Sequence, residues 1–388
     1  MAANTLADVF DVLRRRPDVE APNLHAWDAT DRLLLETAAQ LGRSGSTVAV
    51  IGDRYGALTL GASAILAPAS LRVHQDLVTG ERALRLNATE CDTHMPGLVA
   101  AAGDGTGFVQ LPLGPELLAG ADTVLLQLPK TLAELEEIAA AVARHASPGV
   151  LLLAGGRVKH MSLGMNAVLE RFFSTVQPQL ARQKSRLVLA AGPKPSGPLR
   201  FPVVEYLAEL DLQVAAHGAV FAGAKLDIGT RFLLSFLPAM KPARHVVDLG
   251  CGTGILAAMY ARQFPGAAVT ATDQSAAAVA SARATMVANG LADRIAVLQD
   301  DALGTFPDGA ADAILLNPPF HVGAGVHAGA GLKMIEAAGR VLAPGGELWT
   351  VFNRHLAYLP ALERHVGHTA VEGMNPKFTV TRSTRRSR

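Results

Sequence analysis

Val246-Val247-Asp248-Leu249-Gly250-Cys251-Gly252-Thr253-Gly254 is the stretch on which the reading of this chain turns. Val246 and Val247 read as the end of a buried parallel strand. The alternating glycines let the backbone turn tightly and approach a ligand before a helix opens near Ile255. A dinucleotide-binding turn sets its third glycine at the sixth position, where a helix N-terminus meets a pyrophosphate. Here Ile255 holds that position and the glycine falls one residue earlier, so the loop offers room without an anion nest. The plainer alternative, glycines that only pack strand on helix, loses weight as the downstream sequence is read.

The next strand, Ala267 to Thr272, ends in Asp273, whose carboxylate can accept both hydroxyl hydrogens of a ribose. Capping the helix Ser275 to Asn289 is its competing use, one it shares with Ser275. Strand Ile295 to Leu298 ends at Asp300-Asp301-Ala302. Strand Asp312 to Leu316 delivers Asn317-Pro318-Pro319-Phe320 to the carboxyl edge of the sheet, where open α/β folds bind substrates. Two consecutive prolines fix φ and remove two donors, so the loop presents oxygens.

The glycine stretch is similar to the first motif of class I methyltransferases, DxGxGxG. That resemblance implies S-adenosylmethionine as cofactor, held by Asp248, Gly250, Gly252, Gly254 and Asp273, with Asp301 in preference to Asp300, and Ala302, at the adenine edge. With His321 after Phe320, then Asn353-Arg354-His355-Leu356-Ala357-Tyr358, Asn375-Pro376-Lys377-Phe378 and the upstream Lys225 to Arg231 segment, the chain resembles the bacterial ribosomal RNA guanine-N2 methyltransferases. The Asn353 to Tyr358 and Lys377-Phe378 segments are more similar to the large-subunit branch. The implied fold class is α/β: two tandem Rossmann-like class I methyltransferase domains with mostly parallel seven-stranded sheets, each ended by an antiparallel hairpin, the N-terminal copy degenerate.

An exocyclic amine on a base ring is a poor nucleophile because its lone pair is delocalised. Acceptance of its two N–H groups by the Asn317 side-chain oxygen and the Pro318 carbonyl would favour a pyramidal nitrogen able to attack a sulfonium methyl in line. Pro319 stiffens the turn and Phe320 would stack on the target ring.

Gly192-Pro193-Lys194-Pro195-Ser196-Gly197-Pro198 is the clearest punctuation, and we expect residues 1–195 and 196–388 to form separate domains. The first half reads as a worn copy of the second. Val48 to Gly56 parallels Val246 to Gly254, Val124 to Lys130 parallels Ile314 to Pro319, and Ser147 to Leu153 parallels Ala343 to Val351, at nearly constant separation. In the copy Asp53-Arg54-Tyr55 fills the space between glycines, and Leu128-Pro129-Lys130 lacks the amide, the second proline and the ring. It is expected to position RNA, with Lys159, His160, Arg182, Lys184 and Arg186 as the best basic patch, ahead of Arg14 to Arg16 and the arginine-rich tail.

Across 388 residues, 49% hydrophobic and 18% charged content exclude wholesale disorder, and a net charge of +1 leaves nucleic-acid contact to local patches. Two cysteines, Cys91 and Cys251, argue for a reducing compartment, and no apolar run reaches membrane-spanning length. The expectation is a cytoplasmic monomer acting on ribosomal RNA or a ribosomal subunit, with no metal and no membrane; His321 and His327 read as loop histidines. Two rivals stand beside it. One methylates a glutamine amide in a translation factor, a resemblance that would imply a small helical domain joined to the catalytic one, and the other is a non-catalytic RNA-binding scaffold.

Overall fold

Short aliphatic strands alternate with helices through both halves of the chain, the pattern that calls for a parallel sheet covered on both faces. The computed structural model describes residues 5–18, 20–98, 107–195, 197–319 and 327–386 and divides into two compact units, Met1–Phe201 and Pro202–Arg388.

In the first unit the strands are β1 Thr47–Ile51, β2 Ser70–His74, β3 Val109–Gln110, β4 Thr123–Gln127, β5 Leu151–Arg157, β6 Phe173–Pro178 and β7 Ser185–Pro193, ordered β3-β2-β1-β4-β5-β7-β6. The second unit opens with a hairpin, β8 Val203–Leu207 and β9 Leu212–Ala216. Its sheet follows with β10 His245–Leu249, β11 Ala268–Asp273, β12 Ile295–Gln299, β13 Ala311–Leu316, β14 Leu342–Asn353, β15 Gly367–Met374 and β16 Phe378–Arg385, ordered β12-β11-β10-β13-β14-β16-β15. The two orders are the same permutation, with five parallel strands and a final antiparallel pair in each. The fold class expected from the resemblance is therefore observed, seven strands to a sheet in both units.

The order reverses between β1 and β4, and again between β10 and β13, which leaves a crevice at the carboxyl ends of those strands. The strands beside it are buried on both faces. Alternate residues of β13 and β14 divide between two cores: Leu315, Trp349 and Val351 pack with the helices Ile228–Leu234 and Ile255–Gln263, and Ile314, Leu316 and Leu348 with the helix His327–Val341. Truncating one of these leucines to alanine would cost about 2–5 kcal/mol.

Strand β9 has an edge that β8 does not cover, and a helix closes it. Ser281, Thr285 and Asn289 recur every fourth residue on one face of the helix Ala276–Ala288 and its cap. They accept from the backbone amides of His217 at 2.9 Å, Ala215 at 3.0 Å and Gln213 at 3.1 Å. Strand β14 begins at Leu342, and a register shift between Ala311 and Ala313 accommodates the Pro344-Gly345-Gly346 turn within its ladder with β13.

Candidate active site

The loop between β10 and the helix Ile255–Gln263 has positive φ at all three glycines, +76° at Gly250, +54° at Gly252 and +79° at Gly254. Two of them do different work. A Cβ at Gly252 would meet nothing within 4 Å, so this glycine opens the loop toward free space. At Gly254 a Cβ would lie 2.7 Å from Met286 Cε and 3.1 Å from Ala282 Cβ, so that glycine caps one helix and lets another pack against it.

Asp248, at the end of β10, is fully buried. Its Oδ2 accepts from the Ala257 amide at 3.0 Å and its Oδ1 has no partner. Burial, reinforced by the charge of Asp273, pushes its carboxyl up to about 7 against the pull of the Ala257 amide. Asp273 ends β11 and accepts from the Gly252 amide through Oδ2 and the Ser275 amide through Oδ1, each at 3.0 Å. Ser275 itself caps the next helix by accepting from Ala278. A carboxylate has about four lone-pair sites, so a grip by two amides is compatible with accepting a ribose diol.

After β12, Asp300 is buried and accepts from the Thr305 amide at 3.3 Å. Asp301 is more open and pairs with Lys333 Nζ at 2.5 Å, and Ala302 takes a positive φ of 49°. The glycine loop, Asp273 and the Asp300 to Ala302 corner thus stand at the carboxyl ends of three adjacent strands.

Asn317 follows β13 on the same edge. Its Nδ2 donates to Asp227 Oδ2 at 3.1 Å and to Thr230 Oγ1 at 2.9 Å, while its Oδ1 is buried without a partner. A carboxylate can only accept, so the Asp227 contact fixes which end of the amide is which. Asp227 is held in turn as the cap of the helix Ile228–Leu234, accepting from the Gly229 amide at 2.9 Å and the Thr230 amide at 3.1 Å. The outcome is an oriented acceptor. Pro318 is buried and Pro319 exposed; Phe320 and His321 lie outside the described residues.

Asp227 and Thr230 lie in the Lys225 to Arg231 segment that carries part of the family resemblance, but the sequence reading gave them no role in the site. Their other local signal is the Asp-x-Gly-Thr cap pattern, which gives no hint of a contact 90 residues away. Asn353, at the end of β14, is 8% exposed, and its Oδ1 is buried without a hydrogen-bond partner among the described residues.

The corresponding edge of the first unit is arranged differently. Asp53 turns into the next helix and accepts from the Gly56 amide at 2.9 Å, the Thr59 amide at 2.8 Å and the Thr59 hydroxyl at 2.7 Å. Tyr55 donates to Asp18 at 2.5 Å beneath the Arg15 guanidinium, and Arg54 is exposed. The amide that ends β4, Gln127 Nε2, donates to Asp31 Oδ1 at 2.6 Å. Burial, then the charges of Asp28 and Asp53, push the Asp31 carboxyl up to about 7. Asp31, Asp53, Tyr55 and Gln127 are each engaged by groups of the same unit, around a cavity of about 280 Å³. Elsewhere in this unit Lys159, His160, Arg182, Lys184 and Arg186 are all exposed. The Val158 amide donates to the Lys184 carbonyl at 2.9 Å, so the ends of β5 and β7 bring the five side chains onto one rim.

Among the described residues there is no cluster of three His, Cys, Asp or Glu that could hold a metal, and no helix long and apolar enough to cross a membrane.

The family described as methyltransferase small domain matches residues 211–382, and the RLMG N-terminal domain family matches residues 1–194. The chain is 35% identical over 383 residues to the ribosomal RNA large subunit methyltransferase G of Streptomyces coelicolor, covering 96% of this chain and 98% of that one. It is 36% identical over 376 residues to the protein of the same name in Pseudomonas paraeruginosa, with 96% of each covered. A T. thermophilus 16S rRNA N2 methyltransferase, solved with AdoMet and guanosine, superposes with a TM-score of 0.75 at 20% identity, covering 99% of this chain and 100% of that chain.

Proposed function

The chain belongs to the ribosomal RNA large subunit methyltransferase G family, and from that premise we propose that its second unit transfers a methyl group from S-adenosylmethionine to the exocyclic N2 amine of a guanine in large-subunit ribosomal RNA. The observation that carries the reading is the Asn317 amide, pinned by Asp227 and Thr230 through its donor end, with a buried acceptor left over.

The donor set fits the cofactor. Gly252 leaves open space beside the loop, and Asp248 Oδ1 is an orphaned buried anion suited to an amino acid's ammonium group. Asp273 takes the ribose hydroxyls, and Asp301 with Ala302 borders the adenine. When bound, the cofactor supplies an electrophilic methyl carbon on a sulfonium. Asn317 Oδ1 and the Pro318 carbonyl accept the two amine hydrogens and hold the nitrogen lone pair toward the glycine loop. Pro319 keeps the turn rigid, and Phe320 stacks on the base, which is turned out of its helix to reach the loop. No strong base is needed before attack, because the amine loses its extra proton only after it has become a cation.

The first unit positions the RNA through the rim of Lys159, His160, Arg182, Lys184 and Arg186, acting in the cytoplasm on ribosomal RNA or an assembling subunit. Its seven-stranded sheet counts against the glutamine-methylating alternative, whose resemblance called for a small helical domain. The test is incubation with methyl-labelled cofactor and ribosomal RNA from a strain lacking this chain. Label in one guanine of the large-subunit RNA is expected; label in protein, or no label with the cofactor bound, would overturn the reading.

A further inference from the structure

Asn317 accounts for the amine that is methylated but for nothing else on the edge of the base that carries it. A guanine also presents an N1–H donor and an O6 acceptor there, and a flipped base leaves both without partners unless the protein supplies them. The matching side chain is a carboxamide, which has one acceptor and two donors on a single short stem.

Asn353 is such a carboxamide. The ladder β13–β14 pairs Leu315 with Trp349 and Leu316 with Thr350, so continuing it by one residue sets Asn317 beside Val351. Asn353 lies one pleat further toward the same carboxyl edge. Leu315, Trp349 and Val351 share one core, as does Phe378, which lies directly opposite Asn353 in the β14–β16 ladder. Side chains alternate along a strand, so Asn317 and Asn353 project on that one face, toward the helix that carries Asp227 and Thr230. With a rise of about 3.3 Å per residue and strands about 4.8 Å apart, the two backbone positions are separated by ~8 Å, and both side chains can reach one purine edge.

The two amides differ in what holds them. Asn317 is locked by Asp227 and Thr230. Asn353 is more than nine-tenths buried, yet its Oδ1 has no partner among the described residues. A buried amide oxygen left without a donor is expensive in a folded chain unless something else completes it. We infer that Asn353 is a recognition residue for the target base: Oδ1 accepts from N1–H, Nδ2 donates to O6, and Asn317 holds the N2 amine beside them.

This rests on the guanine reading above, and the test separates the two. RNA carrying 2-aminopurine in place of the target guanine keeps the N2 amine, has a bare acceptor at N1 and lacks O6, so both bonds that Asn353 makes to guanine are lost and only a turned-over amide, Nδ2 donating to N1, recovers one. The wild-type protein and Asn353→Leu, a substitution of nearly equal volume, are compared by kcat/KM on both RNAs. Any intrinsic difference in amine reactivity is common to both proteins and cancels. The guanine-to-2-aminopurine ratio is expected to fall about 2- to 10-fold in the variant, the value of one neutral hydrogen bond, with an unchanged or higher melting temperature. Asn353→Ser, which keeps a small polar group, should fall between the two. A ratio unchanged in both variants, whether or not the rates drop together, would overturn the recognition role. Failure of the wild-type protein to methylate the guanine RNA at all would instead strike the reading on which the role rests.

Discussion

Asn317→Ala should separate catalysis from stability. The substitution removes two hydrogen bonds from Nδ2, one to the Asp227 carboxylate worth about 1.5–3 kcal/mol and one to the Thr230 hydroxyl worth ~1 kcal/mol. It also removes a buried oxygen with no partner, whose desolvation costs about 1–3 kcal/mol. Asp227 keeps its bonds to the Gly229 and Thr230 amides, so the helix cap survives. The net destabilisation is therefore about 0–3 kcal/mol, or a drop of at most ~12 °C in the melting temperature of a unit this size. Loss of a preorganised acceptor for the reacting amine should lower kcat about 10²- to 10³-fold, as removal of one oxyanion-hole donor does elsewhere. Initial rates of methylated nucleoside by mass spectrometry, cofactor titration by calorimetry and a melting scan read the three quantities on one sample. A kcat within about fivefold of wild type, or a loss of activity that follows a loss of cofactor binding, would refute the argument.

Thr230→Val should lower kcat several-fold at a stability cost of ~1 kcal/mol, and combining it with Asn317→Ala should add almost nothing, because both act through one amide. Cofactor affinity should depend on pH through Asp248. Its free-protein carboxyl sits at about 7, an ammonium partner pulls it down, and binding then releases a proton, so affinity rises by up to about tenfold per pH unit below 7 and flattens above; Asp248→Asn should abolish the slope. The same raised carboxyls make the fold more stable when protonated, so Asp31 and Asp248 predict stability that falls as pH rises from 3.8 to about 7. Changing Lys159, Arg182, Lys184 and Arg186 together to alanine should reduce the salt dependence of RNA binding by roughly 0.7–0.9 in log–log slope per lost phosphate contact, and leave cofactor affinity unchanged.

Much of the site was legible because its parts lie in short local signals on consecutive strands. The glycine loop, Asp273 and the Asn-Pro-Pro turn each follow an aliphatic run that can only be a buried strand, and parallel topology then brings the strand ends together. The doubled architecture was legible too, from the turns of Val48 to Gly56 and Val246 to Gly254, which end in left-handed glycines at the start of a helix in both units. What sequence could not give was the contact between Asn317 and Asp227. Asp227 earns its place locally as a helix cap, and only tertiary packing turns that cap into the group that orients an amide on another strand. The first unit's interior escaped for the same reason. Asp31 and Gln127 meet across 96 residues, and no periodicity in either segment signals a buried carboxyl.

The proposed methyl transfer requires the exocyclic amine of the target base to sit against Asn317 Oδ1 on the open side of the glycine loop. A crystal structure of the chain with S-adenosylhomocysteine and an RNA fragment bearing the target guanine measures it directly. The predicted result is the N2 nitrogen about 3 Å from Asn317 Oδ1, with the Asp227 and Thr230 contacts unchanged and the cofactor sulfur facing the amine. A guanine seated with another edge toward Asn317, or an Asn317 amide turned away into Asp227 with both ends engaged, would contradict it.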